Sequence, residues 1–151
     1  MTNFNGKGEF MERALEILEE KNKHLEKFYS LNESEMLNFA NGNFDGLEDF
    51  YDAREGILEM IKRMDHMLEK ENIENISPQE VSPVLKKRFL KALSYKNDLV
   101  TRILSQDLQI LSYIESAKSK IISELAQVRA AKKAVGAYKS FSSKNRLDEE
   151  A

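Results

Sequence analysis

Apolar residues recur at steps of three and four along most of the chain, the spacing of helices with one buried face. Residues 1–8 are polar, contain Gly6 and Gly8, and read as a frayed, flexible terminus. A first helix is predicted over 9–31. Met11, Ala14, Leu18, Leu25 and Phe28 form its apolar row, with Lys21 interrupting, beside a second row of Phe10, Ile17, His24 and Leu31. Asn32 or Ser34 can then cap a short helix through about residue 40, anchored by Met36 and Leu37. The following NGNFDG run is a breaker in which Gly42 and Gly46 can take positive φ.

A second helix is predicted over 44–72, where Leu47, Phe50, Arg54, Ile57, Ile61, Met64 and Leu68 step as a heptad seam with one charged member. Both prolines fall in ISPQEVSP. Ser77-Pro78-Gln79-Glu80 has capping-box spacing, and Ser82-Pro83 offers a second helix start. This break reads as the connection of a helical hairpin. No Pro or Gly follows Pro83 until Gly136. Leu85, Phe89, Ala92, Lys96, Leu99 and Ile103 form one row. The adjacent row Val100, Leu104, Asp107, Leu111, Ile114, Lys118, Ile121, Leu125 and Val128 carries the step onward. One helix over 83–131 would be about 49 residues and ~75 Å long, far larger than the ~15 Å radius of gyration of a compact chain this size. We therefore expect an elongated molecule rather than a helix broken near Ser94. The predicted fold is all-α: an antiparallel hairpin or bundle of three long helices plus a short one. Residues 9–131 form the bundle, and 132–151 a flexible tail, basic and then acidic.

Two features of the seams bear on function. In an antiparallel hairpin about residues 75–82, facing positions sum to about 157, which brings Arg54 to within a turn of Asp107. We expect a partly buried ion pair there, fixing register more than adding stability; otherwise Arg54 reaches water along the hairpin edge. The second feature is the apolar face carried by Leu104, Leu111, Ile114, Ile121, Leu125 and Val128. Either the first helix covers it, or it is a groove for a partner helix or a dimer face.

Composition narrows the chemistry. With no Cys there is no disulfide, thiolate or Cys-bound zinc, and two His leave little for a His-built metal site. His24 lies one turn from Glu20, and His66 and Glu69 make one HxxE; neither is a ligand set. No HExxH, GxSxG or phosphate loop occurs, so an enzyme is not expected and no cofactor is implied. A net charge of −3 argues against bulk nucleic-acid binding. No apolar run approaches a membrane span, and residues 1–13 lack a secretory core, so a cytoplasmic protein is expected. Charge is unevenly placed. Residues 45–74 hold ten Asp/Glu and four Lys/Arg, whereas Arg129, Lys132, Lys133, Lys139, Lys144 and Arg146 give six positive charges with no acid between them.

The segment 31–65 resembles the N-terminal half of the small bacterial flagellar export chaperones of the FliT and FlgN type. Phe44, Arg54, Glu55, Ile57, Leu58, Ile61 and Asp65 carry the likeness. TRILSQDLQILSYIESAKSKIISEL is similar to the last long helix of that family, with Asp107 at its aliphatic–Asp step, and RAAKKAVGAYKS resembles its basic stretch with a terminal Tyr, here Tyr138. The resemblance implies a helical bundle that holds a flagellar axial protein before type III secretion, the client being the filament cap or a hook–filament junction protein. The client's amphipathic terminal helix would lie on Leu104, Leu111, Ile114, Ile121, Leu125, Val128 and Tyr138. The basic tail, drawn to the acidic second helix, would cover that face until a client or an export-gate component displaces it. The competing expectation is a structural or regulatory coiled-coil module that homodimerises through its last helix.

Overall fold

A computed structural model describes residues 2–71 and 81–150, with side chains over 9–71 and 81–140. The described residues form three α-helices and no strand: α1 (Thr2–Ala40), α2 (Leu47–Lys70) and α3 (Pro83–Glu150). The all-α architecture with a long last helix agrees with the sequence pattern. The capping box at Ser77–Glu80 and the basic residues Lys144 and Arg146 lie outside the described side chains.

Three boundaries differ from the sequence reading. There is no separate short helix before Ala40, because α1 runs through it. The two residues expected to cap that helix are engaged elsewhere. Asn32 is fully buried, its Nδ2 donating to Gln106 Oε1 at 3.0 Å. Ser34 Oγ donates back to the Leu31 carbonyl at 2.8 Å, a bond compatible with helix interior. Leu37, expected as an anchor, is exposed, and Phe39 is buried in its place. At the other end, α3 is helical through Gly136 and the SFSSKN run to Glu150. A helix-interior glycine costs only ~1 kcal/mol and does not by itself stop a helix. Likewise α1 begins at Thr2 and takes in Gly6 and Gly8.

The α1–α2 turn ends α1 by a left-handed glycine cap. Gly42 has φ 79°. Its N–H donates to the Phe39 carbonyl at 3.1 Å, and the Asn43 N–H to the Asn38 carbonyl at 2.8 Å. This paired closure satisfies two carbonyls that a helix end would leave open. At the start of α3, the Ser82 hydroxyl accepts from the Leu85 N–H at 3.2 Å, and Pro83 fills the first helical position, where no N–H is needed.

The chain divides into two compact units, Met1–Leu111 and Ser112–Ala151. In the first unit, α1 and α3 run parallel and α2 runs antiparallel to both. Along α1 and α3, Glu19 meets Arg88 at 2.9 Å, Asn22 Nδ2 donates to the Ala92 carbonyl at 3.0 Å and Tyr95 donates to Glu26. Against α2, Lys21 pairs with Asp65, while at the other end Phe39 stacks on Phe44 at 5.3 Å and meets Phe50 edge-on at 5.2 Å.

Two apolar clusters hold these helices together. One joins Leu25, Phe28, Ile61, Leu99 and Ile103, and the other Leu15, Leu18 and Ala92 with Leu85, Phe89 and Leu93 packed against them. Fully burying one such large side chain is worth ~1.5–3 kcal/mol. The predicted α2 seam is the inner face, with Phe50, Ile61 and Met64 buried and Leu47, Arg54, Ile57 and Leu68 half-buried. On α3 the buried row does not pass to Leu104 and Leu111. It continues as Leu99, Ile103, Gln106 and Ile110. A polar residue, Gln106, occupies the core position, which is why the apolar pattern steps aside there. The second unit contains the described helical residues 112–150 of α3.

Candidate partner-binding surface

A polar cluster inside the first unit sits where all three helices meet. Arg54 Nη2 donates to Asp107 Oδ1 at 3.0 Å, with both side chains partly shielded from water. The guanidinium lies over the Phe28 ring, 4.7 Å from its centroid, and 5.1 Å from that of Phe50. Planar Arg suits this place because it can stack on aromatic faces while its edge serves a carboxylate. Asn32 Nδ2 reaches the same Asp107 oxygen at 3.3 Å. Gln106 Nε2 donates to the Tyr29 carbonyl at 3.1 Å and to Glu33 Oε1 at 2.8 Å. The structure thus brings Arg54 and Asp107 together, at positions summing to 161 against the 157 expected of the hairpin. Sequence reading missed Asn32 and Gln106. Their signal was position: each continues the 3/4 step of a buried row through a polar residue.

This cluster ties the three helices to one another. Among the described residues no group of three or more His, Asp or Glu is placed to hold a metal ion. Nor does any described helix have the length and apolarity to cross a membrane. One titration is displaced: the Tyr95 hydroxyl is raised above its usual 10.0, chiefly because it donates to Glu26 at 2.6 Å, with desolvation adding to the effect. This contact lies at the bundle surface, beside an open groove lined by Asn22, Arg88 and Lys91, whose charged rims are paired across α1 and α3.

The residues proposed to meet a partner fall in both units. In the first, Leu104, Leu108 and Leu111 are exposed on α3, on the side away from buried Ile103, Gln106 and Ile110. In the second, Ile114 is half-buried, while Ile121, Leu125 and Val128 are 56%, 49% and 50% exposed. Val135 and Tyr138 are exposed as well. Ile121, Leu125, Val128, Lys132, Val135 and Lys139 continue the 4,3,4,3,4 step of one helix face. Val128, Ala131, Lys132, Val135, Gly136 and Lys139 line a shallow open groove on it. The small Ala131 and Gly136 leave room for another helix to approach closely.

Comparison with family models, curated proteins and solved structures finds no match to this chain.

Proposed function

We propose that this chain is a cytoplasmic, non-enzymatic export chaperone that holds the amphipathic terminal helix of a flagellar axial protein before type III secretion. One observation carries the reading: the second unit presents Ile121, Leu125, Val128 and Val135 to solvent in a single helical row. Isolated exposed apolar residues are ordinary, but a row in register at helix spacing is the form that a partner helix recognises. The first unit supports it as a scaffold, since its three helices bury a core of their own. The resemblance to flagellar export chaperones supplies the client class. Filament cap and hook–filament junction proteins expose helical termini that self-assemble, and covering such a terminus on a helix face keeps it in solution until export.

Co-expression tests this directly. The full chain should co-purify with a cap or junction protein encoded in the same genome. The double variant Ile121→Gln, Leu125→Gln should lose that capture while its thermal unfolding stays that of the parent. Capture of none of the axial proteins, or equal capture by the variant, overturns the reading.

A further inference from the structure

The docking row is not purely apolar, and its exceptions specify what can lie on it. Lys132 and Lys139 are members of the 121–139 row, not of its edges, and Lys118 holds the corresponding place one turn before Ile121. Arg129 and Lys133 flank the row, both exposed. No acidic residue occurs between Glu124 and Asp148. A partner seated on Leu125, Val128 and Val135 must therefore cover ammonium groups and partly strip their water. That is unfavourable unless the partner brings counter-charge to the same places.

We infer that the exposed row Ile121–Lys139 takes an amphipathic helix whose apolar seam carries carboxylates at the positions facing Lys132 and Lys139. This rests on the reading of the row as a docking surface and does not depend on the flagellar identity of the client. A second copy of the row is a poor occupant. Parallel pairing would set Lys132 against Lys132 and Lys139 against Lys139. The antiparallel pairing that sets Leu125 against Val128 puts Lys132 against Ile121 and Lys118 against Val135, so each ammonium meets hydrocarbon with no carboxylate opposite it. An anionic bilayer is a poor occupant for a different reason. Membrane-surface helices keep their cations on the polar face beside an apolar face, whereas here the lysines stand within the apolar row and would sink with it. An acidic helix meets both requirements, with aliphatic residues against Leu125, Val128 and Val135 and carboxylates against the interrupting lysines, as polar positions in coiled-coil seams select partners.

The test uses the full chain and two labelled synthetic helices of about four heptads with the same Leu/Ile seam, one interrupted by Glu and one by Lys. Fluorescence anisotropy should show the Glu peptide binding at least about tenfold more tightly at low salt, the gap narrowing as salt rises. Lys132→Glu with Lys139→Glu should reverse the preference, and Lys132→Arg with Lys139→Arg should keep it. Circular dichroism of each variant should match the parent, since Lys, Glu and Arg have similar helix propensities. Equal binding of the two peptides overturns the inference, as does binding of neither. So does self-association in sedimentation that the double Glu variant leaves intact, or preference for phosphatidylserine vesicles over the Glu peptide. If axial proteins are not captured but the peptide preference holds, the flagellar reading alone fails. If they are captured through Leu125 while charge reversal changes nothing, this inference alone fails.

Discussion

The two units carry the same kind of apolar row and put it to opposite use. In Met1–Leu111 the rows of three helices face one another, and Phe28, Ile61, Leu99 and Ile103 are buried together. In Ser112–Ala151 a row of equal regularity, Ile121, Leu125 and Val128, stands about half exposed. The difference lies in what interrupts each row. In the first unit Arg54, Asn32 and Gln106 are each met by a partner on another helix, as is Lys21, and Lys96 is half-buried. In the second the interruptions are lysines, which are exposed. A 3/4 step establishes that a helix has an apolar face; the polar members of that face indicate whether the chain covers it or leaves it to something else.

Substitutions can break this contrast, in descending order of effect. Phe39→Ala should be the most damaging, since Phe39 is fully buried and packs on Phe44 and Phe50. We expect a loss of ~3–5 kcal/mol in chemical denaturation. Arg54→Ala should cost about 2 kcal/mol, less than for a fully buried pair because water reaches part of Asp107. In a double-mutant cycle with Asp107→Ala the two changes should be strongly non-additive. Gly42→Ala should cost ~1 kcal/mol from left-handed backbone strain alone, because nothing lies within 4 Å of the added Cβ; Gly42→Asn should cost less. Leu125→Gln with Val128→Gln should leave the unfolding midpoint almost unmoved, within ~0.5 kcal/mol per site. A loss the size of a core truncation at those two positions would mean that the row is covered in the free protein, and the contrast would collapse.

Much of the first unit was legible in the sequence. The α2 seam is visible in its heptad steps, and the Arg54–Asp107 pairing follows from hairpin geometry applied to the only charged member of that seam. Gly42 announced the turn. What misled was polar chemistry at core positions. Asn32 looked like a helix cap because Asn is a strong capping residue, yet its amide is occupied by α3. The expected apolar row on α3 ran through Leu104 and Leu111, both exposed in the fold, whereas the buried row passes through Gln106. Whether a buried amide is tolerated depends on a partner more than seventy residues away in sequence, and local periodicity carries no information at that range. The helical end of α3 was missed for a different reason: Gly136 was given the force of a stop, when a single glycine only weakens a helix.

Gln106 has one further consequence. Leucine and isoleucine layers are nearly interchangeable, so three smooth helices could settle a heptad out of place at little cost. Sliding α3 by seven residues would put Leu99 where Gln106 now stands. The Tyr29 carbonyl and the Asn32 amide would then face hydrocarbon. The glutamine works as an index notch: it makes the misthreaded arrangement costly, so the helices lock at a single depth.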